Sequence, residues 1–477
     1  MAAGRRPRRV VIYELNEVPW RVVDLYVADR PRSHLARLLD DGLSLTTQNH
    51  DPAPLQPWRT WPTFHTSTYT AEHNSFELGQ DPATFRGPSI WDAAEAAGLA
   101  VGLFGPLQSW PARPFAHGGF FVPDTFSRTA DTFPAELRRF QQFNITMTRE
   151  NTFSSVADPD PREMLATGVD LLRRGLTPGS LAALAGQLVR ERRDPRYRGR
   201  RSMMQVLPSF DLYWRLHLQH RPHLSVFFTN HVAGMMHRYW GDWVPDYAGA
   251  EDYRPDPVFA EFVPTAMEVA DRQLGRIRSY VDSHQDTIVV VAGSMGQGPI
   301  PYRHLDRTFV LEAPARLLDQ LGLGTAEAGL AMYPRISLAF GSHDEARSSV
   351  DVLESLEGEG CGPMFRDFTV NGRTVSFEIN FDRPDARDDE KLVFVHRDGV
   401  RVTLEPADVG IAVRRRTGGG NTAYHIAEGI LLAYGTGITA DPARVTVDIL
   451  DVAPSLLVNV LHVEPPASMR GNASLFG

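Results

Sequence analysis

Two six-residue runs limit what this chain can build. Leu224–Thr229 (LSVFFT) and Thr287–Ala292 (TIVVVA) are apolar almost throughout. They lack the apolar/polar alternation of a strand with one face in water. Strands of this kind are covered on both faces, as in the middle of a parallel sheet. Val10–Tyr13 (VVIY) is a third such strand, ended by polar residues from Glu14 onward. Helical segments alternate with these runs. Ser33–Asp41 reads as a helix closed by Gly42, and Ile90–Ala97 as a helix stopped by Gly98 before a strand at Leu99–Phe104. Val263–Ser283 is amphipathic and joins the two apolar strands. Ile430–Tyr434 reads as a late strand, and Asp451–Val460 as a late helix with Pro454 in its first turn. Alternation of this kind specifies a layered α/β domain.

The 477 residues suffice for one large α/β domain with insertions, or for two to three ordinary ones. Net charge is −9, which argues against a general nucleic-acid binder and leaves a small anionic substrate open. A single cysteine, Cys361, excludes an intrachain disulfide. Four arginines precede the first strand, whose apolar run is four residues long. A signal peptide needs roughly 7–15, and no stretch approaches the roughly 18 of a membrane helix. The expected compartment is the cytoplasm, without a membrane partner. The oligomeric state is left open.

Two insertions are expected. Residues 130–215 are helical and carry seven arginines in Arg190–Arg201. That segment is either a solvated helix end or a face for anions or a phosphorylated partner. Residues 311–410 combine a helix (Asp344–Glu357) with short alternating strands in Phe368–Leu404, and read as a small α+β lid. Residues 1–310 and 411–477 form the expected core.

Seven segments then stand in a telling order: VVIYELNE, PWRTWPTFHTSTYTAEHN, SIWDAAEAAGLAVGLFGP, HVAGMMHRYWG, TIVVVAGSMGQGPI, YHIAEGILLAYGTGI and DVAPSLLVNVLHVEPPASMRG. Together they resemble the type I phosphodiesterase/nucleotide pyrophosphatase branch of the alkaline phosphatase superfamily. The resemblance implies a mainly parallel sheet flanked by helices. It also implies a phosphate-ester site with two metals, usually zinc, on loops at the strand ends. Thr60 falls at the nucleophilic Thr of that family. Thr63 falls at a phosphate-touching Asn, as a phosphate contact or substitute nucleophile. His237 and His425 match metal-binding histidines. Asn16, Ala233, Ser294 and Met295 replace four of the family's six other side-chain ligands. The usual two-metal centre is therefore not expected.

Substitutes lie nearby. Glu14 and Glu17 flank Asn16, Asn230 and His231 share a loop with His237, and Gln297 follows Met295. A mononuclear site of His231, His237 and His425, with Glu14 as a further ligand, is chemically sensible. His65, five residues after Thr60, offers a general base. Asn16, Trp61, Thr63, Asn230 and Gln297 are the candidate substrate contacts. The cofactor expectation is one divalent metal, zinc first, or none. Three functions stay open. One is a phosphodiesterase-like hydrolase or group transferase with Thr60 as nucleophile. Another is acid–base chemistry on the same fold through Glu14, His65, His231 and His237. The last is a non-catalytic ligand-binding protein. The ELNE opening resembles a bacterial subgroup linked with surface-glycan or secondary metabolism.

Overall fold

The computed structural model describes residues 8–153, 161–247, 253–302, 307–324, 326–329, 331, 334–358, 362–380, 391–395, 400–415 and 421–476. Most of the basic tail, and Cys361, lie outside the described residues.

Ten strands matter for the site. They are β1 (Arg9–Leu15), β2 (Leu43–Gln48), β3 (Val101–Phe104), β4 (Gly119–Val122), β5 (Leu224–Thr229), β6 (Thr287–Ala292), β7 (Gly296–Pro299), β8 (Ala423–Ile426), β9 (Glu428–Gly435) and β10 (Asp441–Asp448). Eight form the central sheet, in the order β10-β2-β9-β6-β1-β5-β3-β4. Every neighbouring pair is parallel except those of β9, which runs antiparallel to both β2 and β6. This is the mostly parallel, helix-flanked sheet expected of an alkaline-phosphatase-like core.

The continuous apolar runs are explained by where alternate residues go. Val11, Tyr13 and Leu15 of β1 enter one hydrophobic cluster with Val289 and Val291 of β6. Val10 and Ile12 enter another with Ile288, Val290 and Ala292. Each such buried side chain contributes about 1.5–3 kcal/mol, so a polar residue in this register needs a partner.

Six helices frame the site and the cavity discussed below: α1 (Trp20–Asp29), α2 (Pro57–Thr66), α3 (Pro178–Arg193), α4 (Val206–His220), α5 (His231–Trp243) and α6 (Phe262–Ser283). The helix α4 begins within the expected insertion at 130–215 and runs past its end. It nonetheless places Phe210, Leu212, Tyr213 and Leu216 in the first cluster, so it covers the sheet. The late helix departs from the simple expectation. It is a short α-helix at Val452–Ser455 that widens to π geometry over Leu456–Leu461.

A third hydrophobic cluster is made of residues from Phe309 to Ile411. It contains helix His343–Glu354 and two four-stranded sheets. Two antiparallel ribbons lead to it. One pairs β7 with β8, and the other pairs Arg307–Leu311 with Ile411–Arg415. No helix among the described residues is long and apolar enough to cross a membrane.

Candidate metal centre

The carboxyl ends of β1, β5 and β6 bring three loops together, the usual ligand position in an open parallel sheet. After Leu15 the chain turns through Glu17, whose φ is +60°. This left-handed residue leaves the strand's alternation, and its carboxylate meets side chains from two other elements. His237 comes from the middle of α5 and His425 from β8. Their Nε2 atoms lie 3.0 and 3.3 Å from one atom, Glu17 Oε2. Gln297 of β7 donates its amide N–H to that same oxygen at 2.5 Å.

The outer ring nitrogens are also committed. His237 Nδ1 donates to the Ala423 carbonyl at 3.0 Å, and His425 Nδ1 to the Leu55 carbonyl at 2.8 Å. A carbonyl only accepts, so Nδ1 carries the hydrogen in both rings. Two bare Nε2 lone pairs facing a carboxylate would repel it. The cluster therefore needs positive charge, supplied by protons or by a cation.

Burial pushes the Glu17 carboxyl up. The charge of His425 and hydrogen bonds from both histidines outweigh this and hold it well below the usual carboxylate range. Burial pulls His425 down, but the Glu17 charge and hydrogen bonds to Glu17 and Leu55 leave it raised.

Asn16 locks Glu17 from the other side. The Trp61 indole donates to Asn16 Oδ1 at 2.7 Å. An indole N–H has no acceptor role, so this contact fixes which way the amide points. Asn16 Nδ2 then donates to Glu17 Oε1 and to Asn230 Oδ1, both at 2.7 Å. An Asp at position 16 would instead set a second carboxylate against Glu17. That is a physical reason for the Asn found here.

The donor set fits a divalent metal. The ligand atoms of Glu17, His237 and His425 all lie within 4.8 Å of one another. Two histidines and a glutamate form an accepted zinc set, and atoms bound at about 2.0–2.1 Å around a tetrahedron lie roughly 3.3 Å apart. The Nδ1–carbonyl bonds orient the rings as outer partners of metal-bound histidines do. The His237 side chain is 25% exposed against 3% for Glu17, which leaves one side open to a ligand.

Other candidates lie elsewhere. Glu14 points to the α2 side of β1, where its Oε1 meets His65 Nε2 at 2.6 Å in full burial. The rings of Trp61 and Trp91 pack on His65 at 5.7 and 4.6 Å. This corrects Glu14 as a metal ligand. Thr60 Oγ1 is fully buried, 2.8 Å from Ser294 Oγ. Thr60 and His65 both lie on α2. Five residues turn a helix through about 140°, so His65 is not placed as a base for Thr60. Thr63 donates to the Asp51 carboxylate and lies 3.1 Å from His73 Nε2, in a buried network that ties the loop down. It is not positioned as a phosphate contact or nucleophile. His231 is also corrected. Its Nδ1 bonds the Thr229 hydroxyl at 2.6 Å and its Nε2 the Ala266 carbonyl at 3.0 Å, so neither nitrogen is free for a metal. Asn16, Trp61, Asn230 and Gln297 belong to the network around Glu17. Glu17, noted only as a flanking residue, is the acid that the histidines meet.

Fold and site together define an α/β protein with a Glu–His–His cluster, built on the buried Glu17, at the carboxyl edge of its sheet. No family model matches the chain, and no curated protein does. Among solved structures the chain is similar to murine ectonucleotide pyrophosphatase/phosphodiesterase 5, in an inactive form in complex with AMP. That likeness spans 98% of both chains at 12% identity, with a TM-score of 0.40. It concerns the course of the chain alone.

Proposed function

We propose that the protein is a single-metal hydrolase or group transferase for a phosphate ester or related small anion, with Glu17, His237 and His425 as the metal ligands. One observation carries this reading. Two histidines from separate elements, each oriented through Nδ1 by a backbone carbonyl, aim Nε2 at one buried carboxylate oxygen. The phosphate-ester class rests on the seven ordered segments of the sequence. A divalent ion held there would act as a Lewis acid and lower the pKa of a bound water to about 7.

The chain's own part is positioning. Asn16 and Gln297 fix the Glu17 carboxylate, and the exposed edge of His237 leaves room for substrate. Water is better supported than Thr60 as the nucleophile. Among the described residues, neither a carboxylate nor an imidazole hydrogen-bonds the Thr60 hydroxyl; its partner is Ser294. The two histidines aimed at one oxygen favour this reading over a merely ligand-binding protein.

The test is the zinc content of the purified protein, alongside turnover of 4-nitrophenyl phosphate and bis(4-nitrophenyl) phosphate. One zinc per chain is expected, lost in Glu17→Gln and in His425→Ala together with turnover. A wild-type protein that takes up no divalent metal overturns the reading.

A further inference from the structure

A cavity of about 660 Å³ lies where the Arg-rich segment packs on α1 and α6. Its size is within the range of small-molecule sites, roughly 300–1,000 Å³. None of the Glu17 cluster lines it. Part of its wall is apolar, including Ala183, Met204 and Leu207. Gly186 of α3 opens onto it, and a Cβ there would meet nothing within 4 Å.

Two acids in its wall are paired with arginines, and a third, Glu261, with a neutral hydroxyl. Asp29 pairs with Arg30 at 2.5 Å and Glu268 with Arg272 at 3.0 Å. Glu261 accepts from the Tyr197 hydroxyl at 3.1 Å. Just behind the wall, Glu191 is taken by Gln187 and Arg201, at 2.9 and 2.8 Å. Arg200 and Arg190 remain. Among the described residues, no carboxylate lies in ion-pair contact with either.

Arg200 is the sharper anomaly. It is 3% exposed, and its Nη1 is buried with no hydrogen-bond partner. Its Nε donates to Gln187 Oε1 at 3.2 Å. The rings of Tyr197 and Phe262 flank the guanidinium at 5.3 and 5.8 Å. Burial, with Arg190 adding to it, lowers the pKa of the guanidinium and outweighs the opposing pull of Tyr197, Glu261 and Glu191. A buried cation with no carboxylate in contact is costly, and an anion in the cavity would reduce that cost.

We propose that this cavity binds a small organic oxyanion, with its carboxylate or phosphate group on Arg200 and Arg190 and its apolar body against Ala183, Met204 and Leu207. A guanidinium fork suits either head group. The site does not depend on the metal reading.

Calorimetric titration at constant ionic strength tests it, with inorganic phosphate, butyl phosphate and hexanoate as probes. Titrations use the full chain and its His237→Ala/His425→Ala variant, in which the central cluster is removed. At least one organic probe binds both proteins equally, and more tightly than inorganic phosphate. The stronger of the two organic probes identifies the head group. Arg200→Gln removes a buried cation and risks the fold, so two gentler variants carry the test. Gly186→Phe fills the open side of the cavity while improving helix propensity, and Arg190→Ala removes an exposed cation. Each weakens binding by about 10-fold or more, Arg190→Ala by the worth of a charge-assisted contact and Gly186→Phe by occupying the space of the ligand's apolar body. The proposal is overturned if no organic probe binds the full chain, if inorganic phosphate binds equally well, if either gentle variant leaves affinity unchanged, or if binding disappears in the His237→Ala/His425→Ala variant.

Discussion

His425 and Gln297 sit directly across from each other on the β7–β8 ribbon, and both end on Oε2 of Glu17. The ribbon thus sets a donor beside the imidazole and holds the carboxylate between them. Gln297→Leu removes the donor while keeping the bulk. It should weaken zinc binding by about 10–100-fold, as loss of an outer partner does. Competition against a chromogenic chelator measures this. Unchanged affinity would mean that Gln297 does not position Glu17.

Thr60→Ala separates two nucleophiles. If water attacks, the variant keeps turnover of the nitrophenyl esters within a few-fold. If Thr60 attacks, turnover falls by on the order of 10³-fold or more, and Thr60→Ser restores part of it. Its contact with Ser294 predicts the first outcome.

Acid should unfold the protein partly through His217. That ring is buried and its Nε2 has no partner. Burial, aided by the charges of Arg9, His284 and Arg221, pushes its pKa down from 6.5 to about 3. The neutral form is thus favoured in the fold, and its stability is present above pH 6.5. As pH falls below 6.5 the unfolded chain binds a proton that the folded one refuses. Stability then drops by about 1.4 kcal/mol per pH unit until the folded pKa is reached. Urea midpoints at pH 7, 6 and 5 give the slope, and His217→Gln should flatten it.

Glu77 and Arg335 form a buried two-contact pair, at 3.2 and 3.3 Å, between the loop after α2 and the 309–411 cluster. Arg59 lies at 3.8 Å from the same carboxylate. Glu77→Ala leaves buried cations unmatched and should cost about 3–5 kcal/mol. Adding Arg335→Met should recover part of that. Urea midpoints of both variants check the pair, and a cost under about 1 kcal/mol for Glu77→Ala would contradict it.

Much of the fold was legible because buried strands announce themselves. Val10–Tyr13, Leu224–Thr229 and Thr287–Ala292 became β1, β5 and β6, with β1 slightly longer. The direction of β9 was not legible, since an apolar run has no sense of direction. At the site, His237 and His425 stood out by their places in chain order. Glu17 was harder to read. Its role depends on a left-handed backbone turn at Glu17 itself, a residue type that does not signal one. Glu14 looked the better ligand, yet its even position in β1 points it at His65. Helix geometry alone separates His231 from His237. Six residues on a helix turn through about 240°, so His231 and His237 cannot share a face of α5.

The β7–β8 ribbon has a broader meaning. Pro299 pairs with Ala423, and the Ile300 amide reaches the Thr422 carbonyl. In topological language the ribbon is a β-hairpin whose tip has been replaced by everything from residue 301 to residue 421. Gln297 and His425 belong to its stem. The chain therefore leaves the core and returns to it through the two strands that hold Gln297 and His425. Closing the stem with an Asn-Gly turn would keep Glu17, His237, Gln297 and His425 in the chain, but it would strip the buried Glu77 of Arg335 and cost stability elsewhere in the core.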